Sequence, residues 1–149
     1  MKVKEIMKTN IINFRKGTSI HDVAKILSQR HISGAPVIDE KDRLIGIVSE
    51  KDIFRALYPN YEDFYSDLTL RTDLEKIEER IADVANLKVE DVMIKNIISV
   101  TPDTSIIKVG AIMLAENIHR IMVLDRNKPC GIVTRRDVYK AIFKDKLKI

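Results

Sequence analysis

The chain has 149 residues, of which 45% are apolar, 32% are charged and only 5% are aromatic. This balance predicts a globular protein of one domain or two small ones with an aliphatic core, and it excludes an intrinsically disordered chain. The sequence contains no run of 18 apolar residues and no signal-peptide pattern, and its single cysteine, Cys130, excludes an internal disulfide. We therefore expect a soluble cytoplasmic protein.

The formal net charge of +4 is unevenly distributed along the chain. Residues 57–87 carry eight acidic and three basic side chains, a net charge of −5, and the remainder carries +9. An acidic segment between two basic parts is typical of an insert with a solvated face, or of a segment that docks a basic partner.

The two basic parts are copies of each other. Residues 2–39 align with residues 88–125 without a gap, and 14 of the 38 pairs are identical, Met7 with Met93 among them. One residue is then lost in the second copy, after which G46-I-V-S-E-K-D52 aligns with G131-I-V-T-R-R-D137. An agreement of this extent indicates an internal duplication.

Each copy predicts the same series of elements, β-α-β-β-α. Apolar runs and helical spacing place strands at residues 11–14, 35–38 and 44–48 of the first copy and at 97–100, 121–124 and 130–133 of the second. The first helix of each copy begins at a T-S-I tripeptide, and the second helix follows Ser49 or Thr134.

Neither copy, at about 50 to 55 residues, buries much surface alone, so the two are expected to pack together with pseudo-twofold symmetry. We assign residues 1–57 to the first repeat, 58–87 to an acidic insert and 88–149 to the second repeat. The insert begins irregularly and predicts a helix from Asp73, with Leu74, Ile77, Ile81 and Val84 on one face.

The repeated glycine-containing stretch has two interpretations. Ser49 with Asp52, and Thr134 with Asp137, fit capping boxes at helix N-termini. Capping does not explain the glycine, because a strand interior disfavours glycine unless another backbone or a ligand approaches closely. A strand-to-helix corner with a hydroxyl and a carboxylate also suits the hydroxyls of a ribose, with phosphate near the helix N-terminus.

Paired repeats with the pattern G-h-h-[S/T]-x-x-D, in which h is a hydrophobic residue and x is any residue, resemble tandem CBS domains. These are the cystathionine-β-synthase repeats that form a Bateman module. The resemblance covers nearly the whole chain except the acidic insert. It also rests on four further stretches, S33-G-A-P-V-I-D39, V89-E-D-V-M93, T101-P-D-T-S-I106 and H119-R-I-M-V-L-D125. It implies an α+β fold of two β-α-β-β-α repeats, and ligands such as AMP, ADP, ATP, S-adenosyl compounds or dinucleotides, although some members bind nothing known.

The resemblance also implies two clefts, each built from both repeats, in which the aspartate of one repeat binds the ribose and basic residues of the other bind phosphate. Cleft A would contain Ile47, Ser49, Asp52, Ile98, His119, Arg120 and Arg136. Cleft B would contain Ile12, Ser33, Gly34, Lys51, Ile132, Thr134 and Asp137. Backbone groups of Ile98 and Ile12 would meet the adenine edge, and Ile47 and Ile132 would give apolar faces. Because His119-Arg120 replaces Ser33-Gly34, cleft A is expected to bind phosphate more strongly.

These features predict a stand-alone regulatory module that binds an adenosine-type ligand and signals to a partner protein. The sequence shows no catalytic triad, no metal-spaced cluster and no phosphate-cradling lysine loop, so we predict no enzyme, no metal and no required cofactor. Two alternatives stay open. One is a ligand-free assembly module, and the other is a nonspecific nucleic-acid binder, for which the basic carboxyl-terminal end is a weak signal. The resemblance also implies a homodimer, since modules of this family commonly pair into disc-like dimers.

Taken singly, the basic residues assigned to cleft A are also ordinary surface residues. Only the repeated context favours a ligand role for His119, Arg120 and Arg136. Nothing in the sequence gives a ligand role to His21 or His31.

Overall fold

The computed structural model describes the backbone of residues 1–58 and 74–149, and the side chains of these residues apart from 74–77. One sheet has the strand order β1 (Phe14–Arg15), β2 (Gly34–Ile38), β3 (Leu44–Ser49), and the other has the order β4 (Ser99–Val100), β5 (Arg120–Asp125), β6 (Lys128–Thr134). The helices are α1 (Ile20–Arg30), α2 (Glu50–Leu57), α3 (Leu74–Ala85), α4 (Val89–Val92), α5 (Ile106–Ala115) and α6 (Arg135–Ile142). A 3₁₀ turn (Val3–Glu5) and a π-helical turn (Phe143–Leu147) lie near the chain ends.

The predicted order β-α-β-β-α is confirmed in both repeats. The first strand of each repeat is shorter than predicted and begins later, at Phe14 rather than residue 11 and at Ser99 rather than residue 97. Only two residues of each strand reach the parallel ladder with the next strand, as in the pairs Phe14↔Val37 and Arg15↔Ile38. The apolar residues before them therefore lie outside the sheet.

The first helix of each repeat begins and ends in the same way. Ser19 and Ser105 are the N-caps, and each hydroxyl accepts a hydrogen bond of 3.2 Å from the amide three residues on. Beyond the carboxyl ends, His31 and Asn117 occupy equivalent positions with φ of 53° and 52°. His31 is thus an exposed turn residue in the left-handed region.

The chain forms two compact units, and each combines parts of both repeats. The first-repeat unit comprises residues 13–41 and 45–96, and the second-repeat unit comprises residues 1–12, 42–44 and 97–149. The segment before the first strand of each repeat therefore packs with the other repeat. We call residues 1–12 the amino-terminal arm and residues 88–96 the central arm.

The arms are built into the cores on which they pack. Val3 of the amino-terminal arm and Val89 of the central arm are both fully buried, each within the core cluster of its unit. The amides and carbonyls of Lys8 and Ile132 exchange hydrogen bonds of 2.9 and 3.0 Å, and those of Ile47 and Ile94 exchange bonds of 2.9 and 2.8 Å. Each arm thus extends the edge of one sheet.

The glycines of the repeated stretch are explained by these arms. A Cβ atom on Gly131 would lie 2.5 Å from Sδ of Met7, and one on Gly46 would overlap Sδ of Met93. Both methionines are half-buried and pack against the cores of their units. The expectation that the glycine marks the close approach of a ligand is therefore wrong, because the close neighbour is a methionine side chain.

The helix predicted in the acidic insert is present as α3. Val84 is buried, with 3% of its surface exposed, whereas Ile81 is 50% exposed, so the predicted apolar face is only partly covered. The side chains of Leu74 and Ile77 lie outside the described residues, as does the irregular start of the insert at residues 59–73.

We predict that Gly131→Ala lowers the free energy of unfolding by about 1–3 kcal/mol, because the new methyl group overpacks against Met7. In a Met7→Ala background the two closest atoms, Sδ and Cγ, are gone and only the Cβ of residue 7 stays close, at 3.1 Å, so the same change should cost clearly less. Urea unfolding of the four proteins of this double-mutant cycle measures the difference. An equal cost of Gly131→Ala in both backgrounds would contradict the arm contact.

Candidate ligand-binding site

Each unit contains one strand-to-helix corner with the predicted capping box. Asp52 Oδ2 accepts hydrogen bonds from the Ser49 hydroxyl (2.7 Å) and the Ser49 amide (2.9 Å), and the Asp52 amide donates to Ser49 Oγ at 3.2 Å. Thr134 and Asp137 repeat the arrangement at 2.7, 2.9 and 3.1 Å. The capping interpretation is thus confirmed in both copies.

The capping box uses only one oxygen of each carboxylate. Both bonds go to Oδ2, and within the described ranges Asp137 Oδ1 accepts no hydrogen bond. Asp52 Oδ1 has Arg55 Nη1 at 4.0 Å, at the limit of an ion pair. Since a carboxylate oxygen offers two lone pairs, Oδ1 can accept from ligand hydroxyls while Oδ2 caps the helix. Capping and ligand binding are therefore compatible.

The Asp137 carboxylate is held in its ionised form. Burial opposes ionisation, but the hydrogen bonds from Thr134 and the charges of Lys8 and Lys140 outweigh it, so the pKa of Asp137 lies below its ordinary value of 3.8. At neutral pH this side chain is accordingly an acceptor only.

The residues that begin β2 and β5 line the same corners. In the first-repeat unit Glu50 donates its amide to Ser33 O at 2.8 Å, and a Cβ on Gly34 would lie 2.9 Å from Val48 O. We call Ser33, Gly34, Ser49 and Asp52 the first corner.

The second-repeat unit has the matching arrangement with different side chains. Arg135 donates its amide to His119 O at 2.8 Å, and Arg120 pairs with Thr134 in the antiparallel ladder. We call His119, Arg120, Thr134 and Asp137 the second corner. The structure thus groups His119 and Arg120 with Thr134 and Asp137 in one unit, whereas the predicted clefts A and B contain one of these pairs each. The division into clefts A and B stays a prediction.

The second corner has more basic side chains beside it than the first. His119, Arg120 and Arg136 are all exposed on that unit, whereas the first corner has Lys51 and, at 4.0 Å from Asp52, Arg55. Sequence reasoning missed one further cation, Lys8, which the amino-terminal arm carries close enough to Asp137 to lower the pKa of that carboxyl. In the sequence, Lys8 is distinguished only by its alignment with the apolar Ile94 of the second copy. This difference points to Asp137 only because the amino-terminal arm packs with the second repeat.

The remaining predicted residues divide into two kinds. Ile12 and Ile98 precede β1 and β4, and neither makes a backbone hydrogen bond to any residue in the described part of the chain. Their backbone groups are therefore not taken up by other described backbone groups. Ile47 and Ile132 use their backbone groups to pair with the arms, so they can offer a ligand only their side chains.

One cavity lies away from both corners. It has a volume of about 440 Å³ and is found at the carboxyl ends of β1 and β2, whereas the first corner lies at the amino end of β2. Its lining residues carry both signs of charge and were not predicted: Arg15, Lys16, Gly17, Asp39, Glu40 and Glu90.

Three further observations concern metal binding, the cysteine and membrane spanning. Within residues 1–58 and 74–149, no group of three or more His, Cys, Asp or Glu side chains is arranged to hold a metal ion. Burial raises the pKa of the Cys130 thiol, and Asp125 adds to the shift, so the thiol is protonated at neutral pH. No helix in these ranges combines the length and the apolar character needed to cross a bilayer.

Comparison with known proteins identifies the same family over both repeats. The family model of the CBS domain matches residues 3–59 and 89–144. An uncharacterized protein of Methanocaldococcus jannaschii, MJ1426, is 36% identical over 95% of this chain and 91% of its own length. The chain spans 22–44% of the length of further curated relatives that it matches.

Ligand complexes are among the similar solved structures. The structure of CBSX2 in complex with AMP is 26% identical, with a TM-score of 0.70 over 97% of this chain and 98% of that one. The CBS domain pair of protein MJ0100, in complex with 5′-methylthioadenosine and S-adenosyl-L-methionine, is 25% identical, with a TM-score of 0.67 over 98% of both chains.

Proposed function

Because the chain belongs to the CBS-domain family, we propose that it is a regulatory module that binds an adenosine-containing ligand without converting it. The observation that carries this proposal is the carboxylate oxygen that each capping box leaves unused. Asp52 and Asp137 are held in place through Oδ2, and we assign Oδ1 of each to the hydroxyls of a ribose; at Asp52 this oxygen also has Arg55 Nη1 at 4.0 Å.

The ligands bound by similar CBS proteins carry ribose hydroxyls, from which a carboxylate oxygen can accept hydrogen bonds. AMP, 5′-methylthioadenosine and S-adenosyl-L-methionine share an adenosine, and they differ in whether a phosphate or a sulfur group follows the ribose. The shared part needs an acceptor for hydroxyls and backbone groups for the base, which the aspartates and Ile12 or Ile98 offer. The phosphate needs cations.

We place the phosphate of a nucleotide at His119, Arg120 and Arg136, the basic side chains assigned to cleft A. All three are exposed on one unit, and Arg120 lies opposite Thr134 in the ladder. Ser33 and Gly34 offer no charge at the equivalent positions, so cleft B suits a less charged adenosyl ligand. A ligand would signal to a partner protein only by favouring one arrangement of the module over another.

The first test is calorimetry and thermal unfolding with AMP, ADP, ATP, S-adenosylmethionine, 5′-methylthioadenosine and NAD. A bound ligand at a hundred times its dissociation constant stabilises the protein by about 2.7 kcal/mol. Absence of any shift at millimolar ligand would overturn the proposal, and the assembly function described below would then take its place.

We predict that Arg120→Ala weakens AMP binding by about 10-fold or more, because a charge-assisted hydrogen bond to phosphate contributes about 1.5–3 kcal/mol. Binding of 5′-methylthioadenosine, which has no phosphate, should change little. Lys128→Ala is the matched control, since Lys128 is an exposed cation at the far end of the same hairpin. Calorimetric titration measures all four affinities, and equal losses for both ligands would contradict the assignment.

A second candidate function, homodimeric assembly, is favoured by the exposed face of α5. Ile107, Ala111 and Leu114 form an apolar stripe, and Ile107 and Leu114 are 55% and 74% exposed. The equivalent positions of α1 are His21, Lys25 and Ser28, so the fold does not require apolar residues there. An antiparallel contact with α5 of a second copy would oppose Ile107 to Leu114 and bring Lys108 within about one turn of Glu116.

We predict that the double substitution Ile107→His and Leu114→Ser, which copies the residues of α1, converts a dimer into a monomer. The loss of apolar area removes most of the driving force of such a contact. Sedimentation equilibrium measures the mass, with Lys25→Ala on α1 as the control. A variant that keeps the dimer mass, or a wild-type chain that stays monomeric at all concentrations, would contradict this second function.

A further inference from the structure

Arg135 connects the carbonyl of Met113, near the carboxyl end of α5, with those of Ile118 and His119 in the segment that follows the helix. Its Nη2 donates to Met113 O at 3.2 Å and to Ile118 O at 3.0 Å, and its amide donates to His119 O at 2.8 Å. Carbonyls at a helix carboxyl end attract a cation, and the planar guanidinium can reach two of them together. The first residue of α6 thereby fixes the segment that leads into β5.

This residue lies between two sets of candidate ligand-binding side chains in the same unit. The segment that it holds carries His119 and Arg120, and the helix that it begins carries Thr134 and Asp137. Its bonds to the carbonyls of Ile118 and His119 therefore bear directly on where the two basic side chains lie relative to the capping box.

The first repeat provides an internal control, because Glu50 occupies the equivalent position. The backbone bond from Glu50 N to Ser33 O is kept at 2.8 Å. A carboxylate cannot donate to carbonyls, and within the described residues the exposed Glu50 side chain makes no hydrogen bond. The side-chain connection exists in the second repeat alone, the repeat with the phosphate-binding candidates.

We propose that Arg135 is a positioning residue for phosphate-bearing ligands: it holds His119 and Arg120 against Thr134 and Asp137 without touching the ligand. This inference rests on the proposed function. The Arg135 guanidinium is occupied by carbonyls, and its Nε atom is buried with no acceptor among the described residues. The role of facing the phosphate therefore falls to the exposed Arg136 of the pair.

The test compares Arg135→Met with Arg135→Lys and with Glu50→Met as the matched control. Arg135→Met should weaken AMP binding by about 10-fold and 5′-methylthioadenosine binding by less than about 2-fold, since only the phosphate depends on the held cations. Arg135→Lys should lie in between, and Glu50→Met should leave both affinities unchanged. A purely structural role would lower the melting temperature but leave the ratio of the two affinities at its wild-type value, and that result would overturn the proposal.

A ligand-free measurement separates this inference from the proposed function. Amide hydrogen exchange at residues 118–120 should become faster in Arg135→Met, and exchange at residues 32–34 should be unchanged in Glu50→Met. If the wild-type chain binds neither probe, the proposed function fails, and the exchange data alone decide whether Arg135 holds this segment. Unchanged exchange in Arg135→Met would overturn the inference whatever the ligand results.

Discussion

A methionine from each arm fills the space that a side chain on the strand glycine would occupy, and the rest of the structure depends on this contact. Met7 lies on Gly131 and Met93 lies on Gly46, so the arm can approach closely enough to exchange backbone hydrogen bonds with the edge of the sheet. Val3 and Val89 then complete the two cores. The arrangement stabilises each unit with residues from both repeats, and it brings Lys8 near Asp137.

The geometry of the two corners is determined by the packing of the arms on the sheets and by the capping boxes of α2 and α6. A carboxylate that only bound a ligand would be free to rotate, whereas Asp52 and Asp137 are each held through Oδ2 by a hydroxyl and an amide. The conformational entropy of these aspartate side chains is thus lost when the protein folds, so that a ligand would not have to order them on binding. Under the proposed function one residue serves both stability and recognition, so the single repeated motif fits both of its interpretations.

Most of the fold could be predicted from the duplication, the T-S-I helix starts and the paired strands, because these are local patterns with a fixed period. The exchange of the arms could not, since Met7 and Met93 have the same local sequence context whichever repeat they pack on. The glycine was correctly identified as a site of close approach, but the neighbour was not. The position of Lys8 beside Asp137 and the bonds from Arg135 to the carbonyls of Met113 and Ile118 could not be predicted for the same reason, because both depend on contacts between segments distant in sequence.

The central claim is that a capped aspartate receives the ribose of an adenosine ligand through its spare oxygen. A crystal structure of the protein soaked with AMP tests it most directly. The account predicts ribose hydroxyls within hydrogen-bond distance of Oδ1 of Asp52 or Asp137, with the Oδ2 bonds of the capping box intact and the phosphate at His119, Arg120 or Arg136. AMP bound instead in the cavity lined by Arg15, Lys16 and Asp39, with both corners empty, would contradict it.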